Sequence, residues 1–399
     1  MDISPIYSLF TYLPLRVLSP LKVRDIPDQK VDVWVHCSSL GEIMAAKPLV
    51  EGFLKRGYKL LVSVFTGSGV NKAAELWGTR ATIIRFPLDS RFHLKQIVEK
   101  MEPKVFVNLE TELWPNLLSI VRERGMSSFL VNARISEKNF KRSMLLKRTY
   151  KKMLSTFTKI FSQSQEDRER LVKLGADPKK VIVSGNIKID SVETDISFIE
   201  KKSLSILGED FVVMFASMRE KEEPIVFDLS EKILNEILSS RVVLAPRHLE
   251  RLSVITKELE RRGLAFSLWS DGRVLSTRVL IIDTLGELRR LYGIADVVVM
   301  GGTLVPYGGH NVLEAIAAKK VVIVGPYFQN IKEEVLQLMD QGGVIRVNTI
   351  GGVFEIILSL YQHRDALDSV AQNAFKWLIS RKGISEKILE EILVYLEKH

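Results

Sequence analysis

Cysteine is almost absent from this chain of 399 residues: Cys37 stands alone. One thiol excludes an internal disulfide framework and fits a reducing compartment. Histidine is sparse as well, with six scattered residues and no His-Glu-x-x-His spacing, so no metal site is expected. With 13 Pro and 24 Gly, the chain is neither collagen-like nor disordered; 46% hydrophobic and 26% charged residues describe a globular protein. No bilayer-spanning run stands at the start. The uncharged stretch ISPIYSLFTYLPL covers only residues 3–15, and a spanning helix needs about 20. No basic leader precedes it and no small-residue cleavage site follows, so a secretory signal is not expected. It reads as an interfacial segment or as a first helix packed on the domain, broken by Pro5, Pro14 and Pro20. Acids are the last shortage. Asp and Glu number 48 against 57 Lys and Arg, a net charge of +9. That surplus suits nucleic acid, a phosphate-bearing small molecule or an acidic membrane face.

What is present is a long alternation. Apolar, β-branched runs at 31–36, 59–65, 81–86, 104–109, 128–133, 159–164 and 180–185 alternate with amphipathic stretches such as GEIMAAKPLVEGFLKRG and RFHLKQIVEKM. After a polar stretch near 191–208 the alternation restarts, with runs at 211–217, 241–246, 264–269, 279–283, 296–302, 320–326 and 344–348. Near-continuous apolar strands separated by helices predict parallel sheets covered on both faces. The fold class is therefore α/β: two Rossmann-like, doubly wound domains facing across a cleft. Residues 353–399 read as helix throughout.

Ordinary cofactor signatures are missing. No G-x-x-x-x-G-K-[ST] occurs, which excludes a P-loop. The best G-x-G-x-x-G candidate, Gly67-Ser68-Gly69-Val70-Asn71-Lys72, has Lys72 in place of the third glycine and reads as a tight turn. No cofactor is expected, so the strand-end loops must carry the function.

Those loops hold the candidate residues. His36-Cys37-Ser38-Ser39-Leu40-Gly41-Glu42 follows the first strand and opens a helix; Glu42 is either a general base or a first-turn carboxylate favouring the helix dipole. Read as an exposed glutamate, with a pKa of about 4.3, it is ionised at neutral pH. Asn108-Leu109-Glu110-Thr111-Glu112-Leu113-Trp114-Pro115 places two acids at another strand end, with helix capping as the alternative for Glu112. Ser184-Gly185-Asn186-Ile187-Lys188 offers a cation that either neutralises an anion or is simply solvated. In the second half, Pro246-Arg247-His248 ends a strand with a fork-shaped guanidinium suited to phosphate or carboxylate. The loop from Gly301 to Asn311 feeds a helix at Val312-Leu313-Glu314-Ala315, whose N-terminus invites an anion. Glu314 is either part of a capping box or a grip on a ribose diol. Finally, 138–152 (KNFKRSMLLKRTYKK) carries seven basic residues and no acid, interleaved with apolar ones. It reads as a membrane-surface amphipathic helix or a solvated face; no nucleic-acid motif accompanies it.

The ordered segments WVHCSSLGEIMAAKPL, NLETELWPNL, VNARIS, SGNIKID, APRHLER, DTLGEL, GGTLVPYGGHNVLEA and VGPYFQN resemble the 3-deoxy-D-manno-octulosonic acid (Kdo) transferases of lipopolysaccharide assembly. Cys37 replaces a small residue of the family pattern, and Ala315 stands where proline is common. The resemblance implies a GT-B glycosyltransferase, inverting and metal-independent, moving Kdo from CMP-Kdo to a lipid A precursor (lipid IVA). It implies Glu42 as general base, Glu110 and Lys188 at the reacting centre, and CMP contacts at Pro246, Arg247, Gly286, Glu287, Leu288, Asn311, Val312, Leu313 and Glu314. The expected division is a membrane-interfacial segment 1–30, an acceptor domain 31–200, a CMP-Kdo-binding domain 201–375 and a helix 376–399 returning toward the domain junction. The expected location is the cytoplasmic face of a bacterial inner membrane, contacted through residues 1–24 and 138–152, with no nucleic-acid partner. The alternatives are a GT-B enzyme using another nucleotide sugar, and a non-catalytic basic protein of lipid surfaces or RNA.

Overall fold

The computed structural model describes Ser19, residues 25–204, Ile206, and residues 209–272 and 277–398. Apart from Ser19, the expected membrane segment 1–24 lies outside them. The chain forms two compact units, Met1–Ser191 with Gly383–His399, and Val192–Lys382. The divisions expected at 200/201 and 375/376 both fall within the second unit.

Every apolar run named above carries a strand. In the first unit these are β1 (Val33–Cys37), β2 (Leu60–Val64), β3 (Thr82–Arg85), β4 (Val105–Leu109), β5 (Ser127–Ala133), β6 (Lys159–Ser162) and β7 (Val181–Val183). They pair in the order β3-β2-β1-β4-β5-β6-β7, all parallel. β1, β2 and β4 are buried at every position, as a sheet covered on both faces demands. The chain leaves β1 toward β2 on one side and returns to β4 on the other, so the loops after β1 and β4 diverge at a topological switch point. The Gly67–Lys72 segment is not a tight turn. It opens the helix Gly67–Trp77, where a Cβ on Gly69 would meet Val64 Cγ1 at 2.7 Å, so glycine lets the helix approach β2.

The helix Ile384–Leu396 completes this unit. The Asp190 carboxylate accepts the N–H groups of Gly383 and Ser385, and Arg56 pairs with Glu386 and Glu390. Leu389 is buried against Gly52, where any Cβ would press into its methyl group.

In the second unit the strands are β8 (Phe211–Met218), β9 (Ser240–Pro246), β10 (Phe266–Leu268), β11 (Val279–Ile281), β12 (Val297–Met300), β13 (Val321–Val324) and β14 (Ile345–Arg346). Their order is β10-β11-β9-β8-β12-β13-β14, again parallel. The switch point lies between β8 and β12. β8 ends in a bulge, with Ser217 at φ 55° and a register shift between Ala216 and Met218. Gly301 follows β12 because a side chain there would overlap the Ser217 carbonyl. Glu222, fully buried, then ties the two loops together. Its Oε2 accepts the N–H groups of Arg219 (2.9 Å) and Gly302 (2.7 Å), and its Oε1 accepts that of Leu304 (2.9 Å). No helix among the described residues is long and apolar enough to cross a membrane.

Two substitutions test these anchors by urea denaturation. Leu389→Ala leaves a cavity under the terminal helix and lowers the stability of the first unit by about 2–5 kcal/mol. Glu222→Ala strands three buried N–H groups and lowers that of the second by about 3 kcal/mol or more.

Candidate active site

Glu42 is the third residue of the helix Leu40–Lys55, whose N-cap is Ser39. The Ser39 Oγ accepts the Glu42 N–H, and the Glu42 carboxylate turns back to take two hydrogen bonds. Ser38 N–H donates to Oε2 at 2.7 Å and the Ser39 hydroxyl to Oε1 at 3.1 Å. This is a variant of the reciprocal capping arrangement. Glu42 thus both caps its helix and lines a pocket. The expectation of an exposed, fully ionised glutamate is corrected. Glu42 is 7% exposed, and its pKa is raised to about 7. Burial is the main cause, opposed by the Ser38 N–H and reinforced by the charge of Glu110. Cys37 beside it is fully buried, and burial with the two glutamate charges pushes its thiol up, so it stays protonated.

Glu110 and Glu112 enter the same pocket from the end of β4. Glu110 adopts a left-handed backbone, φ 54°, which turns the chain sharply out of the sheet. Asn108 Nδ2 holds that turn by donating to the Glu110 carbonyl at 3.0 Å. Glu112 does not cap the following helix, Pro115–Glu123. Asp89 does so instead, accepting from Asn116 N–H (3.0 Å) and Leu117 N–H (2.8 Å), which leaves Glu112 to the pocket.

Lys188 is ion-paired with Glu110 at 2.9 Å, so three sequence-derived candidates meet at one place. The 3₁₀ turn Ile187–Ile189 that presents Lys188 is doubly anchored. Asn132 Oδ1 accepts the Ile187 N–H at 3.1 Å, and Asn186 Oδ1 accepts the Lys188 N–H at 3.0 Å. Asn132, itself at φ 61°, was not among the sequence candidates; nothing in VNARIS distinguishes it before the β5–β7 loops are adjacent.

The far wall of the pocket, which encloses about 570 Å³, comes from the basic segment 138–152 and from Arg134. This segment is not one amphipathic helix. It forms two eight-residue helices, Glu137–Met144 and Lys147–Leu154, separated at Leu145-Leu146. The break turns Asn139, Arg142 and Tyr150 toward the pocket, while Leu145 stands 79% exposed at the corner. Thr111 fixes the neighbouring backbone: its Oγ1 accepts the Arg134 N–H at 2.9 Å and donates to the Arg134 carbonyl. The pocket is thus acidic on one side and basic on the other.

In the second unit, Pro246-Arg247, Gly286-Glu287-Leu288 and Asn311–Glu314 all follow strand ends of one sheet: β9, β11 and β12. Arg247 is fastened by its N–H to the Met218 carbonyl, 2.9 Å, and Gly286 turns at φ 86°. The capping box, one of the two alternatives for Glu314, is absent. Asn311 Oδ1 accepts the Leu313 N–H at 3.0 Å, the cap position is Val312, and the helix Leu313–Ala317 has only five residues. So short a helix has little macrodipole to offer an anion. Glu314 is half-buried; burial raises its pKa, and Arg289 opposes that shift. Sequence reasoning missed Arg219 and Glu222, which become visible only once β8 and β12 are neighbours.

A family model described as 3-deoxy-D-manno-octulosonic-acid transferase (kdotransferase) matches residues 16–191. A bifunctional glycosyltransferase/methyltransferase of Fusobacterium nucleatum is 37% identical over 317 residues, 77% of this chain; the chain spans about half of that relative, 49% of its length. A 3-deoxy-D-manno-octulosonic acid transferase of Haemophilus influenzae is 29% identical over 375 residues, covering 92% of this chain and 88% of that protein. Among solved structures, a glycosyltransferase from Rickettsia africae superposes with a TM-score of 0.68 at 12% identity, covering 92% of this chain and 98% of that one, a likeness of fold. With these matches and two parallel-sheet units in place, the chain is similar to the Kdo transferases over most of its length, and its architecture is that of GT-B glycosyltransferases.

Proposed function

We propose that the protein transfers Kdo from CMP-Kdo to a lipid A precursor at the cytoplasmic face of a bacterial inner membrane, with inversion and without a metal. One observation carries the reading: a buried carboxylate, Glu42, sits at the β1/β4 switch point in a pocket shared with Glu110, which is ion-paired with Lys188. Glu42 takes the proton of the acceptor hydroxyl. The oxygen forms its new bond to the anomeric carbon as the bond from that carbon to the CMP phosphate breaks, and CMP leaves with the electron pair. A pKa near 7 makes Glu42 a far stronger base than an ordinary carboxylate while leaving about half of it ionised at neutral pH. Lys188 holds Glu110 in place and supplies positive charge at the reacting centre. The donor is held by the second unit. Arg247 balances its phosphate and Glu314 grips its ribose, with Pro246, Gly286, Glu287, Leu288, Asn311, Val312 and Leu313 shaping the nucleotide seat.

The basic corner completes the reading. Met144, at the end of one helix, and Leu145 after it are exposed where two helices rich in Lys and Arg meet, the pairing of apolar tip and cationic flank that suits an anionic lipid surface. Arg134 and Arg142 then face an acceptor that bears phosphates.

Mass analysis of the lipid after incubation with CMP-Kdo and a tetra-acylated lipid A precursor tests the activity, and the mass increment counts the Kdo residues added. Glu42→Gln is expected to abolish the product while inhibition by CMP survives; near-normal turnover would remove Glu42 as base. Because the base works deprotonated, kcat/KM of the unaltered protein should fall as pH drops through about 7, with the lower limb set by the raised Glu42 pKa. A limb near 4.5 would contradict the assignment. Neutralising Lys147, Arg148, Lys151 and Lys152 together should weaken sedimentation with anionic vesicles several-fold, and unchanged binding would exclude this corner as the membrane contact.

A further inference from the structure

Arg219, Arg247, His248 and His310 cluster at the second unit's switch point. Arg219 leaves the bulged end of β8 with its N–H fixed by Glu222. Its guanidinium lies over the Tyr307 ring, 4.4 Å from the centroid, and its Nη1 is 2.8 Å from His248 Nε2. The stacking and the histidine contact hold the planar group in one orientation. Yet its Nε is buried and makes no hydrogen bond. The nearest acid is Glu220, whose Oε2 stands 3.9 Å from that Nε and whose other oxygen takes the Tyr307 hydroxyl. His310, from the glycine-rich loop, also has a buried Nε2 with no partner. Arg247, Arg219 and His248 all bear on His310, and with burial as the larger cause they lower its pKa to about 4, so the ring is a neutral donor or acceptor. His248 Nδ1 faces Glu250 at 3.4 Å.

Buried donors without acceptors are costly unless a ligand satisfies them. A guanidinium fork is matched best by an anion of planar, two-oxygen geometry. We propose that Arg219, supported by His310 and His248, binds the carboxylate of the donor sugar and so selects an acidic sugar over a neutral one. This rests on the donor reading above. On that reading Arg247, on β9, takes the phosphate. Arg219 emerges from the adjacent strand, on the side facing the switch point, with the Arg247 N–H bonded to the Met218 carbonyl just before it. A Kdo donor carries two anions, the phosphate and a carboxylate on the same anomeric carbon, and two neighbouring guanidinium groups answer them.

The test compares the KM for CMP-Kdo with the inhibition constant of CMP, which lacks the sugar carboxylate. In Arg219→Gln the KM should rise about tenfold or more, the loss of one charge-assisted hydrogen bond, while the CMP constant stays within about twofold. Arg219→Lys keeps a cation and removes the fork; it should raise the KM at least about threefold with the same indifference to CMP, and it stands in if the glutamine variant does not fold. An unchanged KM, or a KM and a CMP constant rising together, overturns the subsite while leaving the transfer reaction intact. A wild-type protein that neither uses CMP-Kdo nor binds CMP overturns both.

Discussion

The burial of one carboxylate governs the first unit. Glu42 lies beside the ends of the paired strands β1 and β4, where the two connections leave in opposite directions. A buried charge there costs free energy, and the Ser38 N–H and the Ser39 hydroxyl offset only part of it. The rest appears as a raised pKa. Each neighbouring feature serves that compromise: the tight turn at Glu110, the Asp89 cap that keeps Glu112 out of a helix terminus, and Lys188 paired with the second acid. Saturating Glu42 with donors would stabilise it and leave it a weak base.

Glu222 is the contrasting case in the second unit. It too follows a strand beside a switch point and is buried, but three backbone N–H groups satisfy it. It has little capacity left for chemistry, and its effect is to fix the glycine-rich loop relative to Arg219. Two glutamates in similar topological positions thus differ in the donors each receives, two for the Glu42 carboxylate and three for that of Glu222. Beside Glu222, the buried Arg219 Nε and His310 Nε2 have no hydrogen-bond partner among the described residues.

Much of this was legible in the chain. Burial on both faces of a parallel strand leaves a continuous apolar run, and every such run became a strand. The loops named after β1 and β4 line the pocket of the first unit. Errors arose where a local pattern had two physical solutions. The 138–152 segment has helical composition throughout, yet it breaks at Leu145-Leu146 and sends Arg142 and Tyr150 into the pocket. Gly67–Lys72 has the composition of a turn, but Thr66 caps a helix there. Glu112 has the position of a cap, but Asp89, over twenty residues earlier, takes that place.

Strand identity, the two-part division and the kinship with Kdo transferases were written in the sequence, because periodicity and motif order are local properties. Strand order is not local. Whether β1 neighbours β4, or β8 neighbours β12, depends on which side each crossover takes, and this decides which loops share a crevice. Only the folded sheet therefore brought Glu110 to Glu42 and Arg219 to His310. The same packing set the proton affinity of Glu42, since desolvation depends on everything that surrounds a group and not on its neighbours in the chain.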